Sequence, residues 1–128
     1  AVVCGFGAEL RQVFLNLVLN SLDAIEGAGG IIKVRVRRCD RGDAVSVTFA
    51  DNGCGIATGA RKRIFDPFFT TKANKGNGLG LWVSKGIVDK HGGKMRVRSK
   101  TGTDSHGTVF SLVLPRFPQN TAGAAKAN

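Results

Sequence analysis

Apolar residues between positions 7 and 25 recur with the period of a helix rather than that of a strand. When successive residues are set about 100° apart, five polar side chains fall on one narrow arc and nearly all other positions are apolar. These polar residues are Glu9, Gln12, Asn16, Asn20 and Asp23. The pattern predicts a long, buried helix with one polar seam, which the glycines at positions 27, 29 and 30 end.

Four shorter segments alternate apolar residues with polar or basic ones, as half-buried strands do. They cover residues 31–38, 44–50, 94–99 and 108–114. A second amphipathic helix is predicted over residues 79–91, and a single helical turn over residues 61–65. This order of elements predicts an α+β fold, a two-layer α/β sandwich in which helices cover a mostly antiparallel sheet.

The length of 128 residues fits one domain with one hydrophobic core. We expect the domain to cover residues 1–115 and its N-terminal edge to be truncated, because the chain begins in what reads as the middle of a strand. After Pro115 the composition changes to Asn, Ala, Gly and Lys, which predicts a disordered tail over residues 116–128.

Basic residues exceed acidic ones by 19 to 9, so the formal net charge is +10. Such an excess attracts nucleic acid, an anionic membrane surface or an acidic partner. Several basic residues alternate with valines, as on the solvent face of a strand, and this explains most of them. We expect the remainder to attract ATP and an acidic partner protein. The three cysteines lack metal-ligand spacing and are expected to be reduced, cytosolic thiols.

A glycine-rich segment, KGNGLGL at residues 75–81, leads directly into the second predicted helix. The free N–H groups and the positive dipole end at such a junction favour an anion. Two commoner phosphate sites are excluded. The chain has no GxxxxGK[ST] motif, and the segment follows polar residues rather than a strand. A plain flexible loop before a helix is the alternative.

Asparagine is a poor helix former, yet Asn16 and Asn20 lie one turn apart on the first predicted helix. Amide oxygens that face a cavity suit Mg²⁺, which prefers hard oxygen ligands. Two buried asparagines that bind backbone groups are the alternative.

Asp51 follows the strand at residues 44–50 and precedes Gly53 and Gly55. A carboxylate at this place can accept a hydrogen bond from an exocyclic amine, and the glycines let a flat ring approach the backbone. On its own, this segment is equally typical of a turn.

Together these segments resemble the ATP-binding catalytic domain of sensor histidine kinases, in the superfamily of gyrase, Hsp90 and MutL with its Bergerat-type fold. The resemblance covers about residues 5–115. QVFLNLVLNSLDAI (12–25) matches the N box, and IFDPFFTTK (64–72) matches the F box. The three glycine boxes are matched by Asp51, Gly53 and Gly55, by Gly76, Gly78 and Gly80, and by Gly107 and Thr108.

The resemblance implies a role for each matched position. Asn20 is the expected Mg²⁺ ligand, and Asp51, supported by Thr108, is expected to bind the adenine amino group. Residues 67–76 form the expected ATP lid, which Phe65, Phe68 and Phe69 anchor unless they only fill the core. The expected catalytic residues are Asn16, Asn20 and Lys72, and the expected nucleotide-binding residues are Asp51, Gly53, Gly55, Ile56, Phe65, Thr71, Gly76, Gly78, Leu79, Gly80, Leu81 and Thr108.

In the gyrase and Hsp90 branch, a glutamate that acts as general base for water occupies the place of Asn16. An amide cannot take that proton, so this position favours phosphotransfer to a histidine over ATP hydrolysis. The resemblance thus implies a protein histidine kinase module of a two-component system, with ATP and Mg²⁺ as cofactors. His91, at a helix end, and His106, in a turn, are not expected to be the phosphoacceptor.

The acceptor histidine is expected on a dimerisation domain absent from this chain, and little turnover is expected in isolation. The other expected partner is the receiver domain of a response regulator, in the cytoplasm or on the cytoplasmic part of a membrane-bound sensor. No contact of this domain with nucleic acid or membrane is expected. The alternatives are a degenerate nucleotide-sensing pseudokinase, a gyrase-type ATPase and a basic nucleic-acid binder.

Overall fold

The computed structural model describes residues 2–25, 29–70 and 78–117. In order along the chain, the elements are α1 (Gly7–Ala24), β1 (Ile32–Cys39), β2 (Ala44–Asp51), α2 (Thr58–Arg61), α3 (Gly80–Lys90), β3 (Lys94–Thr101) and β4 (His106–Pro115). The predicted long helices and strands are confirmed, with bounds that differ by at most two residues. The predicted turn at residues 61–65 is displaced, because α2 begins at Thr58.

The four strands form one sheet in the order β1-β2-β4-β3, and all three neighbouring pairs are antiparallel. A short 3-10 turn, Asp40–Gly42, connects β1 and β2. In the β2–β4 pair, Asp51 at the end of β2 lies opposite Thr108 near the start of β4. The sheet confirms the predicted α+β sandwich.

The hydrophobic core lies between one face of the sheet and the helices α1 and α3. Alternate residues of β2 and β4 point into it, because successive side chains of a strand point to opposite faces. The helices contribute Val13, Leu17 and Val88, and the two central strands contribute Val45, Val47, Phe49, Phe110, Leu112 and Leu114. The opposite face of the sheet is not covered by any helix of the described residues.

Helix α1 is less buried than its sequence pattern predicted. Val13, Leu17 and Ser21 are buried, but Leu15, Leu19 and Leu22 remain 53%, 46% and 54% exposed. The prediction of a fully buried helix is therefore wrong for this stripe. A helix that is apolar on most sides does not reveal which side faces its own domain.

The two ends of the described chain pair near the start of β2. The N–H of Cys4 donates to the carbonyl oxygen of Arg116 at 2.8 Å, and the N–H of Arg116 donates to that of Asp43 at 2.9 Å. Regular hydrogen bonding thus continues one residue beyond Pro115, into the segment predicted to be a tail. Residues 118–128, the rest of that segment, lie outside the described residues.

His91 connects the N-terminal segment to the end of α3. Its Nε2 accepts a hydrogen bond from the N–H of Phe6 at 3.1 Å, so Nδ1 carries the proton and donates to the carbonyl oxygen of Ile87 at 2.8 Å. The rings of Phe6 and His91 also meet edge to face, with centroids 5.8 Å apart. His91 lies at a helix end, as predicted, and both of its ring nitrogens are engaged.

Replacing His91 with alanine should destabilise the fold. His91→Ala removes both hydrogen bonds and leaves the N–H of Phe6 without this acceptor, so we expect a loss of about 1–3 kcal/mol in the free energy of unfolding. Urea denaturation measures the loss, and Asp104→Ala in an exposed turn is the control. Equal stability of the two variants would contradict the role of His91.

Candidate functional site

The carboxylate of Asp51 is held in place through one of its two oxygens. Oδ1 accepts hydrogen bonds from the N–H of Gly53 at 2.9 Å and from the N–H of Thr108 at 3.3 Å. Among the described residues, no hydrogen bond to Oδ2 is present, and the side chain is half-buried. The backbone therefore fixes the orientation of the carboxylate and leaves one oxygen able to accept from a ligand.

Thr108 supports Asp51 through its backbone alone. The hydroxyl of Thr108 lies 2.9 Å from the hydroxyl of Ser99 on β3. The Ser99 hydroxyl donates to the carbonyl oxygen of Gly107 at 3.0 Å. Ser99 also accepts a hydrogen bond from the N–H of Ile56 at 2.6 Å. Ser99 thus ties the loop after β2 to β3. Sequence reasoning missed Ser99, since it reads as one more alternating position in a strand.

The glycines of this loop are required by close packing against its neighbours. A Cβ atom at Gly53 would lie 2.7 Å from the backbone of Ala24, at the end of α1. Gly55 has φ +80°, and a Cβ there would overlap the carbonyl of Lys100 on β3. The loop therefore passes between α1 and β3 with no room for side chains at these two positions.

Two further side chains fix the same loop. Asn52 accepts from the N–H of Ile31 at 2.8 Å and donates to the carbonyl oxygen of Gly29 at 3.1 Å. Nδ1 of His106 bonds to the carbonyl oxygen of Gly53 at 2.6 Å. His106 is the first residue of β4, so its predicted place in a turn is wrong. Neither role could be read from the sequence, because the partners are distant along the chain.

Asn16 joins α1 to the first turn of α3. Its Nδ2 donates to the carbonyl oxygen of Gly80 at 3.1 Å and to the hydroxyl of Ser84 at 3.0 Å, and Ser84 is fully buried. Gln12 donates to its Oδ1 at 3.0 Å. At Asn16 the structure therefore supports the alternative of an amide bound to protein groups. Asn20 is half-buried one turn further along the same side of α1.

The segment before α3 starts with a tight approach of two backbones. The N–H of Phe68 donates to the carbonyl oxygen of Gly78 at 3.1 Å. Gly78 has φ +75°, and a Cβ there would overlap the backbone of Phe68. Leu79 precedes α3 without a side-chain cap. Because the first N–H groups of a helix have no acceptor within it, this end of α3 favours an anion.

The remaining predicted residues divide into three groups. Thr71, Lys72 and Gly76 lie outside the described residues, so their roles stay predictions. Four half-buried residues pack against the core, namely Ile56, Phe65, Phe69 and Leu81. Phe68 is 72% exposed with φ +66°, so the prediction that all three phenylalanines anchor the following segment is wrong for Phe68.

Helix α1 connects the two parts of the site. Near Ala24 it contacts the loop that holds Asp51, since the N–H of Cys54 donates to the carbonyl oxygen of Ala24 at 3.0 Å. At Asn16 it contacts α3. Eight residues separate these contacts, which is about 12 Å along a helix. The arrangement suits an elongated ligand with an amine at one end and an anionic group at the other.

A cavity of about 430 Å³ lies beside the loop, where Asn52, Cys54, Gly102 and His106 are among its lining residues. It shares Ala24 and Gly53 with the site that α1 connects, but neither Asp51 nor Gly80 lines it.

The sequence model of a known family, described as "Histidine kinase-, DNA gyrase B-, and HSP90-like ATPase", matches residues 6–118. The chain belongs to this family. Family membership implies ATP binding, and it agrees with the predicted fold.

Relatives of this ATPase-family domain are sensor histidine kinases. The chain is 44% identical to the signal transduction histidine-protein kinase AtoS of Escherichia coli K12 over 111 residues. These aligned residues cover 86% of this chain and 17% of AtoS. It is 47% identical over 107 residues to the sensor histidine kinase ZraS of the same strain, covering 84% of this chain and 22% of ZraS. The chain thus spans about a fifth of the length of these curated relatives.

Solved structures similar to this domain include histidine kinase catalytic domains. The mycobacterial sensor histidine kinase MprB has a TM-score of 0.80 at 31% identity, over 91% of this chain and 78% of that chain. The catalytic domain of the histidine kinase ThkA has a TM-score of 0.77 at 34% identity, over 91% of this chain and 73% of that chain. The architecture described above is therefore that of the family.

The contact between Asn16 and Ser84 can be tested by a double-mutant cycle. Ser84→Ala removes the acceptor by deleting a single oxygen atom and leaves the Asn16 amide short of one partner, so we expect a loss of about 1–3 kcal/mol in the free energy of unfolding. Because the two residues share one hydrogen bond, the double variant Asn16→Ala with Ser84→Ala should cost less than the sum of the single variants by at least about 0.5 kcal/mol. Urea denaturation measures all four proteins. Strict additivity would contradict the contact.

Proposed function

We propose that this domain binds Mg-ATP and transfers the γ-phosphoryl group to a histidine on the dimerisation domain of a sensor histidine kinase. The observation that carries the proposal is the carboxylate of Asp51, which two backbone N–H groups hold by one oxygen in a domain of the ATPase family. The relatives, which are named as histidine kinases, support the choice of reaction.

Adenine recognition follows from the geometry of Asp51. Oδ2 can accept a hydrogen bond from the exocyclic amine of adenine, while Gly53 and Thr108 hold Oδ1. A purine with a carbonyl oxygen in place of that amine would set two acceptors against each other. Because the carboxylate is already oriented, little ordering is needed on binding. We therefore propose that the site selects ATP over nucleotides that carry a carbonyl at this position.

The triphosphate is proposed to lie at the N-terminus of α3. The helix dipole and the N–H groups of the first turn favour negative charge there. Asn16 holds this turn against α1 through the carbonyl oxygen of Gly80. Thr71, Lys72 and Gly76 are proposed to complete the phosphate contacts, and residues 67–76 to form the lid.

The residues on α1 fit a magnesium ion. Asn20 offers an uncharged amide oxygen, which is a hard ligand, on the side of the helix that faces α3 at Asn16. Mg²⁺ takes few protein ligands and keeps waters and phosphate oxygens in its shell. When bound, it neutralises part of the charge on the triphosphate. Asn20 would hold it in this site.

The proposed reaction needs a nucleophile from outside the described residues. A histidine nitrogen of the dimerisation domain forms a bond to the γ-phosphorus, the bond to the bridging oxygen breaks, and ADP leaves with the electron pair. Asn16 carries no proton-accepting group and is engaged with Gly80 and Ser84, so it positions α3 rather than activating water. Positioning and charge neutralisation, to which Lys72 would contribute, supply the catalysis.

The proposed partners follow from the reaction. They are the dimerisation domain of the same kinase and the receiver domain of a response regulator, in the cytoplasm or at the cytoplasmic part of a membrane-bound sensor. Hydrogen bonds at the ring nitrogens of His91, and at Nδ1 of His106, support an acceptor elsewhere. No helix of the described residues has the length and apolar character needed to cross a bilayer.

Adding the purified dimerisation domain with γ-labelled ATP tests the transfer. We expect acid-labile label on its histidine. ATP binding without label would favour a nucleotide-sensing pseudokinase, and release of phosphate in place of label would favour a gyrase-type ATPase.

Asp51→Asn tests adenine recognition. Asparagine can still accept at its oxygen from Gly53 and Thr108, but it presents an NH₂ group to the adenine amine. We expect ATP affinity to fall about ten- to a hundredfold, since a charged acceptor contributes about 1.5–3 kcal/mol, whereas the free energy of unfolding should change little.

Titration calorimetry measures this affinity, with Asp104→Asn in an exposed turn as the matched control. Inosine triphosphate, which carries a carbonyl where ATP carries the amine, should lose less affinity than ATP. An unchanged ratio of the two affinities would contradict the role of Asp51.

Asn20→Ala tests the metal site. Removing the amide oxygen should weaken ATP binding in the presence of Mg²⁺ more than binding in the presence of a chelator, because only the first includes a ligand to the ion. Calorimetry in the two buffers measures both losses. Equal losses would show that Asn20 does not ligate the metal.

A further inference from the structure

The sheet face opposite α1 and α3 carries basic residues along both of its edges. Strand β1 contributes Lys33, Arg35 and Arg37, and strand β3 contributes Lys94, Arg96, Arg98 and Lys100. All seven side chains are exposed. We call this surface the basic sheet face.

The strand register arranges these residues in three rows, each of which begins and ends with a cation. The rows run Lys33-Ala50-Val109-Arg98, Arg35-Thr48-Ser111-Arg96 and Arg37-Ser46-Val113-Lys94. The central residues are small or medium in size and half-buried. Long side chains at the edges and short ones between them form a trough.

The dimensions of the trough follow from strand geometry. Three strand spacings separate the two basic columns by about 14 Å, and successive rows lie about 7 Å apart. With Lys100 one step beyond the rows, the trough is about 20 Å long. The basic residues therefore lie in two columns with a defined distance between them.

The positive charge of this face is not compensated within the part of the chain that the structure describes. The only acidic residue in the four strands, Asp51, belongs to the opposite face with Thr108. The three ion pairs found among the described residues, which involve Arg63, Lys85 and Lys90, lie elsewhere. Several like charges at about 7 Å spacing create a positive potential that favours an anionic partner.

We propose that the basic sheet face binds an acidic α-helix of a partner protein or domain. A helix with side chains is about 10–12 Å in diameter and fits between columns about 14 Å apart. A length of about 20 Å corresponds to about 13 helical residues. Carboxylates on the two flanks of the helix would meet the two basic columns, and small residues between them would contact the floor at Ala50, Val109 and Val113.

Other polyanions fit this surface less well. Single-stranded nucleic acid is held by aromatic side chains on which bases stack, and the face carries no aromatic residue in its rows. Proteins read duplex DNA by inserting a helix or a β-ribbon into one of its grooves. The basic sheet face is concave and, within the described residues, presents no such projecting element. A planar membrane would contact only the two basic columns, and the three rows between them hold no apolar side chain larger than valine for insertion.

The inference is independent of the nucleotide site, which lies on the helix-covered side of the sheet. Changes on the basic sheet face should therefore leave ATP affinity unchanged. The two proposals can fail separately.

The test uses the full chain and a synthetic, alanine-rich helical peptide of about 14 residues with glutamates on both flanks. Binding is measured by fluorescence anisotropy at about 0.1 M salt. Arg35→Glu with Arg96→Glu reverses the middle row. Arg11→Glu with Lys62→Glu, at exposed positions outside the face, makes the same change in net charge and is the matched control.

We expect the reversed row to weaken peptide binding at least about tenfold and the control to weaken it less than about threefold, because the loss should depend on position and not on net charge. ATP affinity should be unchanged in both. A proline-containing isomer of the peptide, which cannot form the helix, should bind at least about tenfold more weakly than the helical form.

Three results would overturn the proposal. The first is an equal loss in the two double variants, and the second is equal binding of the helical and proline-containing peptides. The third is tighter, row-dependent binding to vesicles with phosphatidylglycerol or to a short DNA duplex, which would assign the face to lipid or nucleic acid.

Discussion

The pairing of β2 with β4 is the constraint on which the site depends. It places the N–H of Thr108 opposite Asp51, and with the N–H of Gly53 it gives one carboxylate oxygen two donors. A half-buried charge is costly unless hydrogen bonds replace its water. Gly107 permits this approach, since a Cβ there would overlap the carbonyl of Asp51. The sheet and its following loop therefore fix the orientation of the carboxylate.

Helix α1 connects the loop after β2 to α3. Its C-terminal end meets the glycine-bearing loop at Ala24, and Asn16 binds the first turn of α3. An asparagine costs helix propensity, and the two bonds that it donates across the helix interface offset that cost. The same helix thus sets the distance between the carboxylate and the end of α3 that favours an anion. Under the proposed function, these are the two places that the ends of the nucleotide would contact.

The elements could be predicted because periods of 3.6 and 2 residues are local properties of the chain. Asp51, Gly53 and Gly55 could be singled out in the same local way, because they lie in one short segment. Ser99, whose partner Ile56 is 43 positions away, could not be found in this way. The exposure of Leu15, Leu19 and Leu22 could not be predicted either, and nor could the rows of the basic sheet face. Both depend on which distant segments of the chain pack or pair with each other.

The most direct test of the account is a titration of the ¹⁵N-labelled chain with ATP and Mg²⁺, followed by amide chemical shifts. The account predicts that the amides of Gly53 and Thr108, which hold Asp51, and those of the first turn of α3 shift together with one dissociation constant. Shifts confined to Gly102, His106 and their neighbours, or to the basic sheet face, with no shift at Thr108 or in α3, would contradict it.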